Sequence, residues 1–244
     1  MARAGICLLV AVCSVTAFNS PQVHPAEPES NPWETTIRDF EQWDSKNSFV
    51  ADAVLFVGSS SIRMWATRNC FADLPVINRG FGGSRISDVN HFASRIVLPY
   101  RPAAIVFYAG DNDIAAGKTP HAVFDDYRKF VGLVHADLPK TPIIFISIKP
   151  SLSRWSLWPA MSTANRLIRD FCKADSRLYF VDVANCLLAS DGKPNSTLFL
   201  ADNLHLNADG YRAWTEILRP VIREALKSAR SEPAVRQDVS KSGF

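Results

Sequence analysis

Four short blocks of the 244-residue sequence contain the residue types that nucleophilic chemistry needs. One of them reads Asp202-Asn203-Leu204-His205, and a carboxylate three residues before a histidine can orient the imidazole and stabilise its protonated form. Asp202 and His205 therefore predict a general base, and the alternative is an Asp202 that merely caps a turn. The other four histidines have no acid placed in this way at a predicted strand end and are interpreted as surface or core residues: His24, His91, His121 and His135.

The block Gly58-Ser59-Ser60-Ser61 could supply a serine for this base to activate. It follows an apolar run, so a strand is expected to turn into a helix here, where backbone N–H groups can stabilise an anion. Serines also favour helix starts without any function, and an N-cap cluster is the alternative. Ile62 stands where the GxSxG elbow of α/β-hydrolases has its second glycine, so the block does not predict that elbow.

Two further blocks could donate hydrogen bonds to an oxyanion. A glycine within 80–83 could present its N–H to a cavity because no side chain blocks the approach, and the segment lacks the GxGxxG spacing of a dinucleotide site. In Gly110-Asp111-Asn112-Asp113, the Asn112 side chain could donate a further N–H. The alternatives are a plain tight turn and an asparagine that bonds its own backbone. The acidic pair does not match the spacing of an EF-hand calcium loop.

Five apolar runs rich in β-branched and aromatic residues must position these blocks: 53–57, 76–78, 103–108, 142–148 and 178–183. Most are apolar on both faces, which is typical of parallel strands covered by helices. Helical spacing occurs between and around them, for example at 33–43, 124–134 and 214–226. The alternation predicts an α/β fold with an open doubly wound sheet, whose ligand site lies beyond the carboxyl ends of the strands.

In their residues and their order, the four blocks resemble the SGNH hydrolase superfamily, the GDSL-like esterases and lipases, over most of residues 50–220. Gly58-Ser59-Ser60 stands where that family has Gly-Asp-Ser, which makes Ser60 the implied nucleophile. Ser59 replaces the aspartate of the signature, which is not a member of the family's triad. The family's Gly-x-Asn-Asp block matches residues 110–113, and its Asp-x-x-His block matches residues 202–205.

The resemblance implies both a fold and a mechanism. The fold is a three-layer α/β/α sandwich with a five-stranded parallel sheet, the flavodoxin-like SGNH hydrolase fold. Ser60, His205 and Asp202 would form a catalytic triad, and the backbone N–H groups of Ser60 and Gly83 would form an oxyanion hole with the Asn112 side chain. An acyl-enzyme would form and be hydrolysed by water, so neither a metal nor an organic cofactor is expected.

The sequence indicates the substrate less sharply. Arg154, Trp155 and Trp158 follow the fourth predicted strand and could stack on a sugar ring or line an acyl pocket, unless the tryptophans only pack the loop. We expect a small-molecule or saccharide acyl ester with a short acyl or acetyl group, which includes carbohydrate deacetylation. The alternatives are a lysophospholipase, thioesterase or acyltransferase of the same superfamily, or a non-catalytic carbohydrate-binding module.

The composition and the two ends of the chain indicate the class of protein, its localisation and its domain organisation. The sequence is 47% hydrophobic and 21% charged, with a net charge of +3 and scattered basic residues, so it predicts a globular protein without a nucleic-acid surface. Residues 1–17 are typical of a signal peptide, which predicts a secreted or periplasmic protein without a stable membrane span; a buried N-terminal helix is the alternative. A linker is expected at 18–32, the hydrolase domain at 33–228 and a loose tail at 229–244.

Cleavage after Ala17 would leave three cysteines, Cys70, Cys172 and Cys186, as one disulfide and a thiol or as three reduced thiols. No CxxC pair supports a structural zinc site. Asn195-Ser196-Thr197 fits a glycosylation acceptor, which matters only in a source that glycosylates secreted proteins.

Overall fold

The computed structural model of the protein describes residue 1 and residues 31–231. Apart from residue 1, the predicted signal peptide lies outside the described residues, as do residues 18–30 of the predicted linker and residues 232–244 of the predicted tail. The organisation of these segments stays a prediction.

Five β-strands and eight α-helices alternate along the described part of the chain. The strands are β1 (Val54–Gly58), β2 (Val76–Gly80), β3 (Ala104–Tyr108), β4 (Ile143–Ile146) and β5 (Leu178–Val181). The helices are α1 (Glu34–Lys46), α2 (Ser60–Arg63), α3 (Thr67–Cys70), α4 (Ile86–Ile96), α5 (Asp111–Ala115), α6 (Pro120–Asp137), α7 (Trp158–Cys172) and α8 (Ala208–Ser231).

The five strands form one parallel sheet in the order β2-β1-β3-β4-β5. Helices α1, α4, α6 and α7 pack on one face, while α2, α3 and α8 pack on the other. This confirms the predicted α/β class, a three-layer sandwich with a five-stranded parallel sheet. The chain leaves β1 towards β2 and then returns to the other side of β1 as β3. A crevice therefore opens between the carboxyl ends of β1 and β3.

Alternate residues of each central strand enter two separate hydrophobic cores. In β1, Leu55 and Val57 belong to the core under α4, α6 and α7, while Val54 and Phe56 belong to the core under α8. All four side chains are fully buried. Because helices cover both faces, the strand is apolar at every position, and this explains why the sequence shows continuous apolar runs.

At two strands the end differs from the predicted one, and a polar side chain is buried beside it in each case. Strand β2 continues to Gly80 because Arg79, although charged, is buried by an ion pair with Asp44 from α1. Strand β4 ends early because the Ile148 N–H donates to the Asn165 side chain at 2.8 Å instead of to a strand. Apolar patterning reports side-chain burial and does not report which group accepts a backbone N–H.

The three cysteines among the described residues are free thiols. Cys172 is 4% exposed, and burial raises the pKa of its thiol to about 11. Because the thiolate is the reactive form, we expect iodoacetamide to alkylate Cys172 at least roughly tenfold more slowly in the native protein than in urea at the same pH. Mass spectrometry of timed, quenched samples measures both rates, and equal rates would contradict this prediction.

None of the helices in residues 31–231 is long and apolar enough to cross a membrane.

Candidate active site

A cavity of 530 Å³ opens beyond the carboxyl ends of β1, β2 and β3. It is lined by residues from all four blocks that the sequence singled out, among them Ser60, Gly83, Asn112 and His205. Trp33 and Arg154 also line it. The structure therefore brings together Ser60 and His205, which are 145 positions apart in the chain.

Ser60, His205 and Asp202 form a continuous line of hydrogen-bonding groups. His205 Nε2 lies 2.9 Å from Ser60 Oγ, and His205 Nδ1 lies 2.6 Å from Asp202 Oδ2. The hydrogen bond from His205 lowers the pKa of Asp202 to about 2, helped by the backbone N–H groups of His205 and Leu204. The ionised carboxylate can only accept hydrogen bonds, so His205 carries its proton on Nδ1. Its Nε2 is then free to accept the Ser60 proton.

Gly58 shapes the turn that presents Ser60. Its φ is +139°, and a Cβ at this position would lie 1.9 Å from the Tyr108 carbonyl oxygen, so only glycine lets β1 run this close to β3. The Ser59 N–H donates to that same oxygen at 2.9 Å. Ser60 then begins α2, and its own N–H has no acceptor among the described residues.

Ser59 occupies the N-cap position of α2, but it does not cap the helix. Its side chain accepts no bond from the helix, and its buried Oγ has no hydrogen-bond partner among residues 31–231. The interpretation of the serine cluster as a helix cap is therefore not supported by the contacts of Ser59.

Two long-range hydrogen bonds hold α2 in place. Asn78 on β2 donates to the Ile62 carbonyl at 2.8 Å, and Tyr211 on α8 donates to the Ser61 carbonyl at 2.9 Å. Because α8 also follows the His205 loop, the Tyr211 bond couples the two halves of the site. Neither residue was identified from the sequence as supporting the site, although Asn78 ends the second predicted strand.

The loop that carries His205 is closed on itself by backbone pairing. The Leu200 N–H donates to the His205 carbonyl at 2.8 Å, and Phe199 pairs with Leu206 in an isolated antiparallel bridge. Asn207 then accepts bonds from the N–H groups of Asp209 and Gly210 at the start of α8. These contacts fix the backbone on both sides of His205 and thereby the position of its imidazole.

Three residues that line the cavity each have an N–H hydrogen that is available to a ligand. The N–H groups of Ser60 and Gly83 have no acceptor among the described residues. Gly83 has a φ of +77°, a left-handed conformation that favours glycine. Asn112 donates one of its two side-chain protons to the Ser84 carbonyl at 3.0 Å, which leaves the second proton available.

The loop before Gly83 is anchored by a residue from the start of the domain. Trp33 donates its indole N–H to the Gly82 carbonyl at 2.8 Å and lines the cavity beside it. The sequence identified Trp33 only as part of an amphipathic stretch. No local signal indicates this contact, because the two residues are 49 positions apart.

The three predicted substrate residues are placed differently from one another. Arg154 lines the cavity, and its Nη2 donates to Asn112 Oδ1 at 3.0 Å. Trp155 and Trp158 stack on each other, with ring centroids 6.2 Å apart, and do not line this cavity. Trp158 packs instead against the core on the α7 side of the sheet.

The acidic residues of the third block are paired with cations. Asp111 contacts Lys149 and Arg154, while Asp113 accepts bonds from Lys118 and from the Ile86 N–H at the start of α4. Among the described residues, no group of three or more His, Cys, Asp or Glu side chains could hold a metal ion. Lys149 was not singled out in the sequence, although it follows β4 at the edge where the other blocks lie.

A doubly wound parallel sheet that carries Ser60, His205 and Asp202 in contact at its carboxyl edge has the architecture of an α/β ester hydrolase. The family comparison agrees with this class. The model of the GDSL-like Lipase/Acylhydrolase family matches residues 57–213, which include all four blocks, and the chain belongs to this family. This confirms the predicted membership of the SGNH hydrolase superfamily.

Solved structures with the same fold include several esterases. A GDSL-like lipase from Bacteroides thetaiotaomicron has a TM-score of 0.67 at 19% identity, covering 78% of this chain and 98% of that one. A carbohydrate esterase family 3 protein from Talaromyces cellulolyticus has a TM-score of 0.57 at 16% identity, covering 72% and 98%. An acetyl-xylooligosaccharide esterase from Geobacillus Stearmophilus has a TM-score of 0.58 at 14% identity, covering 72% and 95%.

At these identities the similarity concerns the fold alone. No curated protein matches the sequence.

Proposed function

We propose that the protein is an exported serine esterase that hydrolyses short-chain acyl or acetyl esters, including those of carbohydrates. The observation that carries the catalytic proposal is the contact of 2.9 Å between Ser60 Oγ and His205 Nε2, continued by the contact of 2.6 Å to Asp202. Export rests on the signal-like composition of residues 1–17.

In the proposed mechanism, Ser60 Oγ attacks the ester carbonyl carbon while His205 Nε2 takes its proton. Asp202 stabilises the resulting imidazolium. The tetrahedral oxyanion accepts hydrogen bonds from the Ser60 and Gly83 N–H groups and the Asn112 side chain, each lowering the barrier by about 3 kcal/mol. The C–O bond to the alcohol then breaks, and His205 returns the proton to the leaving oxygen. A water molecule then attacks the acyl-enzyme in the same series of steps, and the carboxylic acid is released.

Two features support a small polar substrate. Among residues 31–231, polar side chains and glycines make up most of the cavity lining, and its large apolar side chains are Trp33 and Leu204, which is little surface for a long acyl chain. Two of the structurally similar proteins are named as a carbohydrate esterase and an acetyl-xylooligosaccharide esterase. A lysophospholipase would need an apolar channel to bury a fatty acyl chain.

A series of p-nitrophenyl esters from acetate to palmitate tests this preference. We expect kcat/KM to be highest for acetate to butyrate and to fall by at least roughly tenfold at octanoate, because the longer chain has little apolar surface to contact. Acetylated xylo-oligosaccharides should lose acetate, measured by its release into solution. Turnover of long-chain lysophospholipids with no action on acetylated sugars would overturn the substrate proposal.

A further inference from the structure

A group of buried charges lies directly behind one of the proposed oxyanion donors. Lys149 follows β4 and Asp111 follows β3, and their side chains are 1% and 5% exposed. Lys149 Nζ lies 3.3 Å from Asp111 Oδ2, and Arg154 Nη1 lies 3.1 Å from the same oxygen. The Arg154 contact is an ion pair rather than a hydrogen bond, because Nη1 is out of line for one. One carboxylate thus contacts two basic side chains.

This group is an unusual component for the interior of a domain. Removing ions from water costs free energy that their mutual attraction often fails to recover, so a buried ion pair is weak evidence for a role in stability. Burial lowers the pKa of Lys149, whereas the pKa of Asp111 is lowered despite burial because Lys149 and Arg154 attract its negative form. The carboxylate therefore stays ionised, and the contacts of the three charged side chains indicate their role.

Two of these charged residues, Arg154 and Asp111, form hydrogen bonds with Asn112. Arg154 Nη2 donates to Asn112 Oδ1 at 3.0 Å, and Asp111 Oδ1 accepts the Asn112 backbone N–H at 3.1 Å. On its other side, the Asn112 amide donates to the Ser84 carbonyl at 3.0 Å. The oxygen of this amide is therefore turned towards a guanidinium, and its nitrogen is turned towards Ser84.

The direction of the amide matters because its two ends are nearly the same size. A rotation of about 180° would exchange the oxygen and the nitrogen at little steric cost and would direct a lone pair at the developing oxyanion. A guanidinium can only donate hydrogen bonds, so Arg154 accepts one orientation of Asn112 and rejects the other. Asp111 fixes the guanidinium, and Lys149 balances the charge of Asp111.

We infer that Lys149, Asp111 and Arg154 form a positioning unit that holds the Asn112 side chain with its N–H towards the cavity. The inference rests on the proposed function, in which Asn112 is an oxyanion donor. The three residues are positioning residues, since they act through Asn112.

A double-mutant cycle on p-nitrophenyl acetate, a neutral ester, tests this unit. In the otherwise wild-type protein, Arg154→Met should reduce kcat by roughly 10- to 100-fold and change KM by less than about threefold, because the donor is misplaced while substrate binding is kept. In an Asn112→Ala background, the same substitution should reduce kcat by less than about threefold, because the residue through which Arg154 acts is gone. Arg154→Lys should give an intermediate loss, since a lysine cannot bond Asn112 and Asp111 with one planar group.

Two further readouts separate positioning from a general structural defect. Phenylboronic acid forms a tetrahedral anionic adduct with a nucleophilic serine, and its affinity should fall by about the same factor as kcat/KM in Arg154→Met. Arg166→Met, which removes an exposed arginine on α7 that bonds only Thr163 among residues 31–231, is the matched control and should leave kcat and thermal stability unchanged. The Arg154→Met variant should also match wild type in circular dichroism.

The outcomes distinguish this inference from the proposed function. If Asn112→Ala leaves kcat unchanged, Asn112 is not an oxyanion donor, and that part of the proposed function fails along with the inference. If Asn112→Ala lowers kcat but the effect of Arg154→Met is additive to it, the positioning unit alone is overturned. An increase in KM for anionic esters without any loss of kcat on the neutral ester would make Arg154 a substrate-binding residue instead.

Discussion

Replacing Ser60 with alanine is expected to reduce kcat/KM on p-nitrophenyl acetate by at least roughly a thousandfold. The substitution removes the Oγ that lies 2.9 Å from His205 Nε2 and leaves the backbone N–H of residue 60 in place. The residual rate should therefore be that of water attack assisted by the remaining hydrogen-bond donors. Because Ser60 is only partly buried at the start of a short helix, the variant should keep the wild-type fold.

Ser59→Ala is the matched control because it removes one hydroxyl from the neighbouring position. The Ser59 hydroxyl is buried and has no partner among the described residues, so its loss should change kcat/KM by less than about threefold. Activity retained in Ser60→Ala, together with loss in Ser59→Ala, would assign the nucleophile to Ser59. A wild-type protein that binds acetylated sugars without hydrolysing any ester would instead support a binding module.

The sequence predicted the sheet well because burial on both faces leaves a strong local signal. Runs such as the one containing Leu55 and Phe56 are apolar at every position, since successive side chains enter the two opposite cores. The positions of Ser60 and Asn112 could be predicted for a related reason. Each lies in the helical turn that follows a strand, so the strand fixes the edge of the sheet where it lies.

The supporting residues could not be predicted because their partners are set by the strand order. Lys149 and Asp111 are 38 positions apart and meet only because β4 lies beside β3. From sequence alone, a lysine after an apolar run is equally consistent with a solvated loop. The contact between Trp33 and Gly82 depends in the same way on where α1 docks against the sheet.

Asp202→Asn is expected to lower kcat on p-nitrophenyl acetate by between about 100-fold and about 10,000-fold with little change in KM. Asp202 Oδ1 accepts the N–H groups of Leu204 and His205 at 2.9 Å each, so the new amide will keep its oxygen there. Its nitrogen then faces His205 Nδ1, where the carboxylate oxygen lay at 2.6 Å. Because that nitrogen donates, His205 must place its own proton on Nε2, and Nε2 can no longer accept the Ser60 proton.

The loss in Asp202→Asn should persist throughout the neutral range. The pKa of Asp202 is lowered to about 2, chiefly by its hydrogen bond with His205, so the wild-type carboxylate is ionised at every pH above roughly 4. Asp209→Asn is the matched control: its carboxylate is exposed and, in the described part of the chain, pairs only with Arg212 on the surface of α8, so kcat should be unchanged. If Asp202→Asn kept kcat within about threefold of wild type, His205 would be oriented by the backbone of its loop, and Asp202 would have no part in proton transfer.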